Sequence, residues 1–408
     1  MESLTPAERY AAAKAKSKAK QIHPISNNFF ETFDFELDEF QIKGCHAIEA
    51  GKGVLVAAPT GAGKTIVGEF AAYLALMQEK KCFYTTPIKA LSNQKYQEFV
   101  ERFGETKVGL LTGDNSINTD AQIVVMTTEV LRNMLYTGSS TLTNLGYVVM
   151  DEVHYLADKF RGAVWEEVLI HLMESVQVIS LSATVSNAEE FGDWLQSIRG
   201  NTKVIVTEKR PVPLFQYVYI GNSFLELFSE DGKINPEVLR EERANFRTYR
   251  GSHFNKKFSG GVISKSDLIE KLERQKFLPL IYFIFSRNGC DLAVKQCLKA
   301  NLRLTTKNER DEIVGKLNKV AEKIDPKDLA ILEFQEWSEA LSRGFAAHHA
   351  GLLPIFKETI EELFQSNLLK VVFATETLAL GINMPAKTVL LDRLSKWNGE
   401  SHVNITPG

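Results

Sequence analysis

Residues Ala58-Pro59-Thr60-Gly61-Ala62-Gly63-Lys64-Thr65 set two glycines, a lysine and a threonine at the spacing of a polyphosphate cradle. Gly61 and Gly63 let backbone amides close on an anion, and a helix N-terminus directly after them favours negative charge. Lys64 is placed to reach the β- and γ-phosphates and Thr65 to hold a Mg²⁺ through its hydroxyl, with Thr60 and Ala62 completing the loop. The first glycine of the usual pattern is Ala58 here. The surroundings agree with the motif: Val54 to Ala57 reads as a buried strand, and an amphipathic helical stretch follows the loop. Strand, loop and helix together imply a bound nucleoside triphosphate.

A second group stands at Asp151-Glu152-Val153-His154, after the apolar run YVVM. A carboxylate at the carboxyl end of a parallel strand is where a metal partner of the phosphate loop belongs. Asp151 would hold the metal's water shell, and Glu152 would orient and deprotonate an attacking water. Four residues of this type can also form an acidic helix cap, so their weight comes from position. Ser182 and Thr184, in VISLSAT, put small hydroxyls at a further strand end, suited to couple the γ-phosphate state to neighbouring groups.

These groups need a scaffold, and the chain supplies a regular one. Between residues 50 and 207, the runs VLVAA, KCFYTT, VGLLT, IVVMTT, YVVMD, VISLS and KVIVT alternate with helix-like segments. Such alternation predicts a parallel sheet covered by helices on both faces. A second series, LIYFIFS (280–286), FAAHH (345–349), KVVFAT (370–375) and TVLLD (388–392), predicts a second α/β unit. Residues 221–276 between them read as polar and irregular. From Arg240 to Lys276 there are 10 Lys/Arg against 5 Asp/Glu, with Phe246, Tyr249, Phe254 and Phe258 interleaved. That mixture fits a surface that grips a backbone and stacks bases, and equally a charged linker with a few anchoring aromatics. The expected division is a helical extension (1–32), an ATP-binding domain (33–213), a basic linker or insertion (214–276) and a second domain (277–408).

Composition sets the bounds. A hydrophobic content of 44% and a charged content of 24% are ordinary for a soluble globular chain. No run has the length of a membrane span, so no membrane partner is expected. The net charge of −3 gives no global nucleic-acid signal, and any such binding must come from local patches. Cys45, Cys82, Cys290 and Cys297 form no C-x-x-C pair, which points away from zinc and from a disulfide framework and toward a reducing compartment.

The ordered set APTGAGKT, DEVH and SAT resembles the superfamily 2 nucleic-acid helicases of the DExH-box type. The resemblance runs from about residue 33 to 392. It implies two tandem RecA-like P-loop domains, ATP with Mg²⁺ between them, and a single strand across the top. Phe35 to Gln41 resembles the adenine-reading motif, with Gln41 on the base edge and Phe35 stacked on it. Thr86, Pro87 and Lys89, then Thr112 and Gly113, then Thr128 and Glu129, resemble successive backbone-contacting motifs. Ser286 and Arg287 resemble a further strand-gripping motif. Thr375, Thr377, Gly381 and Asn383 resemble the segment that touches both nucleic acid and nucleotide. His154 takes the position that couples the ATP site to the neighbouring motifs. TTPIKALSNQKY, DEVHYL, HHAGLLP (348–354) and ATETLALGINMP are together similar to the superkiller-type, exosome-associated RNA helicases and their bacterial relatives. That branch implies RNA as the track, RNA-degradation machinery as a partner and a cytoplasmic location.

One departure stands out. The family places a segment with paired Gly-Arg dipeptides after the Gly381–Asn383 motif, and its arginines serve the ATP site. This chain has no Gly-Arg dipeptide. The expectation is therefore a core truncated before that segment, with the second sheet incomplete at its C-terminus. Two other readings stay open: a DNA helicase or translocase with the same engine, and a nucleotide-gated RNA-binding fragment with little turnover. His348 and His349 are expected to pack one inside and one outward, without metal.

Overall fold

A computed structural model describes residues 22–157, 162–183, 188–220, 223–229, 231–250, 264–378, 384–397 and 402–405. The chain divides into two compact units, Met1–Phe254 and Asn255–Gly408, and the division falls inside the charged 214–276 segment.

The first unit is built on eight strands: β1 (Gly53–Ala57), β2 (Lys81–Thr86), β3 (Val108–Leu111), β4 (Ser116–Ile117), β5 (Ile123–Thr127), β6 (Leu145–Met150), β7 (Gln177–Ser182) and β8 (Thr202–Val206). Their order across the sheet is β4-β3-β5-β2-β6-β7-β1-β8. Every neighbouring pair is parallel except β3 with the two-residue β4. All seven apolar runs expected to be strands form them, and the α/β class is as the alternation predicted.

Side chains along each strand alternate between two separate cores, as a strand period of two requires. Val54, Val56 and Tyr84 enter one core with Ile48 of α2 (Glu39–Glu49), Phe70 of α3 (Thr65–Met77) and Phe99 of α4 (Lys89–Phe103). Short α1 (Pro24–Phe30) adds Phe29 to the same core. Leu55, Phe83 and Met150 point the other way, toward Leu131 of α5 (Thr128–Thr137), Trp165 of α6 (Gly162–His171) and Leu195 of α7 (Ala188–Arg199). Burial on both faces explains why the strand sequences read as continuous Val/Ile-rich runs.

Part of the segment expected to be irregular is ordered. An antiparallel hairpin joins β9 (Tyr217–Ile220) to β10 (Ser223–Glu226), and α8 (Pro236–Arg250) follows. The Asn235 side chain accepts the Glu237 backbone N–H at 2.9 Å, and Pro236 opens the helix, so local capping outweighs the charge-rich composition. The side chains of Phe246 and Tyr249, and all of Phe254 and Phe258, lie outside the described residues, as do residues 1–21 of the expected N-terminal extension.

The second unit starts with α9 (Lys265–Arg274), held by buried Leu268, Ile269 and Leu272. Its sheet comprises β11 (Leu280–Phe283), β12 (Phe345–His348), β13 (Val371–Ala374) and β14 (Thr388–Leu391), in the order β12-β13-β11-β14 and parallel throughout. Helices α10 (Arg287–Lys299), α11 (Lys307–Ala321), α12 (Pro326–Ile331), α13 (Phe334–Ser342) and α14 (Pro354–Gln365) connect the strands. Ile281, Ala346 and Val372 meet Ile313, Leu317, Ile360 and Phe364 in its core. All four cysteines are buried and free. No helix among the described residues is long and apolar enough to cross a membrane.

Candidate nucleotide and strand-binding site

The strand order brings the chemistry-bearing segments to one edge of the first sheet. Across its carboxyl edge, β3-β5-β2-β6-β7-β1 lead in turn into Thr112-Gly113, Thr128-Glu129, Thr86-Pro87, Asp151-Glu152, Ser182 and the phosphate loop. The hydroxyl-rich segments thus occupy one half of the edge, and the acidic pair, Ser182 and the glycine-rich loop occupy the other. The carboxyl edge of an open parallel sheet is the usual ligand side of such folds.

In the loop, Gly61 and Gly63 adopt φ of +81° and +79°, the left-handed region open to glycine. Ala58 N–H donates to the Ser182 carbonyl at 3.1 Å, tying the loop to β7. Lys64 is buried, and its ammonium donates to the Ala58 and Pro59 carbonyls at 2.9 and 3.3 Å. Burial pushes its pKa down, while Glu152 and Asp151 pull it up. Gln41 sits in the first turn of α2, where its Oε1 accepts the Asp38 N–H at 2.8 Å in a capping box. Its Nε2 donates to the Gly63 carbonyl at 3.0 Å and to Ala62 at 3.4 Å, so the glutamine is joined to the loop itself. Phe35 is exposed, with its ring edge-on to Phe33 at 5.3 Å.

Asp151 is held from three sides. Its N–H donates to the Thr85 carbonyl (2.9 Å), its Oδ2 accepts the Tyr84 hydroxyl (2.7 Å) and its Oδ1 accepts the Glu152 N–H (2.9 Å). Glu152 takes a left-handed φ of +51°. Burial, and then Asp151, raise its pKa to about 7, against the pull of Lys64 and Lys95. Burial, and then Lys64, lower the pKa of His154, against Asp151. Neutral His154 accepts the Ala183 N–H on Nδ1 at 3.4 Å. Glu152 Oε2 lies 3.2 Å from that nitrogen and is buried without a hydrogen-bond partner. Ser182 Oγ is likewise buried without a partner, and Thr184 lies outside the described residues.

On the other half of the edge, the hydroxyls are built into the framework. Thr86 Oγ1 lies 2.7 Å from Ser92 Oγ and donates to the Ile88 carbonyl at 3.0 Å. Thr128 Oγ1 donates to the Thr86 carbonyl at 3.3 Å, and Thr112 Oγ1 accepts the Asn115 N–H at 3.1 Å. All three threonines are buried. Lys89, half exposed above Gly113, pairs with Asp114. Glu129 lies in the first turn of α5.

In the second unit, Ser286 caps α10 by accepting the Gly289 N–H at 3.1 Å, and Arg287 beside it is exposed. Thr375 follows β13, the neighbour of β11, so these residues share one sheet edge. The Thr377 side chain, Gly381 and Asn383 lie outside the described residues. His348 and His349 are both buried, against Glu361 (2.8 Å) and Asp291 (2.9 Å), so the expected inside–outside split does not occur. On each ring Nε2 meets a carboxylate, which eases burial; His349 Nδ1 accepts the Gly351 N–H at 3.2 Å, and His348 Nδ1 is buried without a partner.

Two residues of this region escaped the sequence reading. Tyr84 lies in an apolar strand and reads there as core. Lys95 reads as a solvated helix position, yet it is 12% exposed and its ammonium lies 3.5 Å from Thr65 Oγ1.

The residues present fit a Mg²⁺–triphosphate. No group of three or more His, Cys, Asp or Glu among the described residues could hold a metal alone, but Mg²⁺ needs only one or two carboxylates beside substrate phosphates. Lys64 is a buried cation with no carboxylate partner at ion-pair distance among the described residues, and Glu152 Oε2 and Ser182 Oγ are orphaned. Such groups suit an anionic ligand that brings its own water.

Comparison with known proteins agrees with this geometry. Residues 38–191 match the family model "DEAD/DEAH box helicase". A probable helicase, HelY, of Mycobacterium leprae is 52% identical over 398 residues, covering 93% of this chain and 43% of the relative. The mouse superkiller complex protein 2 is 42% identical over 92% of this chain and 31% of its own length. The ATP-dependent RNA helicase mtr4 of Schizosaccharomyces pombe is 40% identical over 92% and 35%. The chain thus spans less than half the length of these relatives.

Proposed function

Because this chain belongs to the DEAD/DEAH box helicases, as a relative of HelY and the superkiller-type proteins, we propose that it carries the motor core of an ATP-dependent RNA helicase. One observation supports this above the rest: the Ala58–Thr65 loop, the Asp151-Glu152 pair and Ser182 stand at the ends of consecutive strands, beside the segments at Thr86, Thr128 and Thr112.

In this reading the Gly61–Gly63 amides and the Lys64 ammonium take the phosphates. The ammonium exchanges its contacts with Ala58 and Pro59 carbonyls for stronger charge-assisted ones. Thr65 and Asp151 hold Mg²⁺, which when bound neutralises charge on the β- and γ-phosphates. Glu152 takes the proton from the attacking water, and a pKa near 7 suits a base that works near neutrality. His154 joins the Glu152 turn to the Ser182-Ala183 turn, so a shift at one strand end is felt at the next. Gln41 and Phe35 bind adenine, with Gln41 also bracing the loop.

For the track, Thr86, Pro87, Lys89, Thr112, Gly113, Thr128 and Glu129 of the first unit contact a strand's backbone without reading its bases, and Ser286, Arg287 and Thr375 do so in the second. With three threonine hydroxyls committed inside, backbone amides and Lys89 make most of the first unit's phosphate contacts. RNA is the preferred strand because the similar proteins include an ATP-dependent RNA helicase and a superkiller complex protein. RNA-degradation machinery is the partner class.

The test is steady-state ATP hydrolysis, alone and with single-stranded RNA or matched DNA, beside a Glu152→Gln control. RNA stimulation that the control abolishes is expected. Stimulation by DNA alone would move the track to DNA. ATP binding with turnover no faster than the control would instead support a nucleotide-gated binding fragment.

A further inference from the structure

We propose that Tyr84 is a positioning residue for Asp151, its hydroxyl fixing the carboxylate in the orientation that meets the metal–nucleotide. The inference rests on the nucleotide-site reading above and adds to it a residue that the motifs do not contain.

The geometry leaves Tyr84 little freedom. Its ring is fully buried and lies edge-on to Phe99 at 5.0 Å. Helix α3 passes directly over it at Gly68, where a Cβ would stand 2.9 Å from Tyr84 Cε2. A ring clamped between α3 and α4 cannot swing, so its hydroxyl is delivered at a fixed point near the carboxyl end of β2. There it donates to Asp151 Oδ2 at 2.7 Å.

Each Asp151 carboxylate oxygen therefore has one tether: Oδ2 from Tyr84 and Oδ1 from the Glu152 N–H at 2.9 Å. An ionised carboxylate offers about four lone-pair sites, so acceptor capacity is left on both oxygens for a metal's water shell. The backbone of residue 151 is bound to the same strand, through the Thr85 carbonyl at 2.9 Å. Strand β2 thus holds both the main chain and the side chain of Asp151. Two residues beyond Tyr84, the strand ends at Thr86 and leads into Pro87 and Lys89. The ammonium of Lys95 stands 5.7 Å from the Tyr84 ring centroid and 3.5 Å from Thr65 Oγ1, so Lys95 lies between the ring and the second residue assigned to Mg²⁺. Groups that orient a metal-binding carboxylate in this way typically change metal affinity when removed.

The experiment compares the 408-residue chain with Tyr84→Phe, Asp151→Asn and the double variant. Binding of a fluorescent ATP analogue is read in EDTA and through a Mg²⁺ titration, with a thermal melt of each protein. Tyr84→Phe keeps the ring and deletes only the hydroxyl. It should raise the half-saturating Mg²⁺ concentration about 10-fold, leave the affinity in EDTA within about twofold and add nothing in the Asp151→Asn background. An unchanged Mg²⁺ titration, or a loss as large in EDTA as in Mg²⁺, would overturn the proposal and leave Tyr84 a packing residue. A wild-type chain that binds no nucleotide at any Mg²⁺ concentration would overturn the nucleotide-site reading itself.

Discussion

Gln41 and Gly63 fit against each other with no room between them. Gln41 Nε2 donates to the Gly63 carbonyl at 3.0 Å, and a Cβ on Gly63 would stand 2.6 Å from that nitrogen. Gly63→Ala should therefore suffer twice, from a left-handed backbone worth about 1–2 kcal/mol and from displacement of Gln41. Gly61→Ala has a similar φ but meets nothing within 4 Å, so only the backbone cost applies. Thermal melts should show the larger loss in Gly63→Ala. Equal losses would mean that the glutamine contact contributes nothing to the loop.

Lys64 separates stability from function. Its ammonium is buried among carbonyls, a costly placement for a charge without a counter-ion. Lys64→Met should keep the melting temperature of the nucleotide-free chain or raise it. The same change should weaken ATP binding by about 1.5–3 kcal/mol, roughly ten- to a hundredfold. Equilibrium binding and a melt on the same preparation check both halves. A variant that melts earlier and binds normally would reverse the assignment.

Glu152 gives the pH dependence. Burial, then Asp151, lift its pKa to about 7 from 4.5. A carboxyl raised in the fold binds its proton more tightly there than in the unfolded chain, so its stabilising contribution is complete below about pH 4.5 and lost as pH rises through about 7. Without nucleotide or Mg²⁺, Glu152→Gln should melt increasingly above wild type between about pH 5 and about pH 8. A gap that stays flat over that range would remove the shifted carboxyl. In the presence of ATP the same variant should lose about 10²–10⁴ in turnover while still binding.

The sheets were legible because most of their strands are short, continuous, β-branched-rich apolar runs that alternate with longer helix-like segments. The placement of the Ala58–Thr65 loop and of the Asp151-Glu152 pair at strand ends was legible because each follows a continuous apolar run. Tyr84 was not: a tyrosine inside KCFYTT has the signature of a core residue, and only the neighbouring strand β6 reveals what its hydroxyl meets. Lys95 was hidden for a similar reason, since a lysine on an amphipathic helix reads as solvated until α3 brings Thr65 beside it. The helix Pro236–Arg250 was masked by its charge, which hid the capping at Asn235. The inward hydroxyls of Thr86, Thr112 and Thr128 were not legible either: residue type speaks only of hydrogen-bonding capacity, and the fold gives each Oγ1 a partner within its own loops.

Lys89 and Asp114 bear on how the first unit takes a strand. They form an ion pair directly above Gly113, with Lys89 52% and Asp114 73% exposed. A pair that open to water contributes little to stability, but it leaves Lys89 partly neutralised before any phosphate arrives. Lys89→Ala should weaken single-strand binding and lower the slope of log affinity against log salt by about 0.7, the value for one phosphate contact on a single strand. Asp114→Asn should act in the opposite direction, because it removes a competitor for the same ammonium, and tighten binding by about two- to fivefold. In the Lys89→Ala background Asp114→Asn should have no effect, since the group it releases is gone. Fluorescence anisotropy of a labelled oligonucleotide across a salt series measures all three. If Asp114→Asn weakens binding as much as Lys89→Ala does, the pair serves to hold the Thr112–Asn115 turn in shape, and Lys89 is not the phosphate contact.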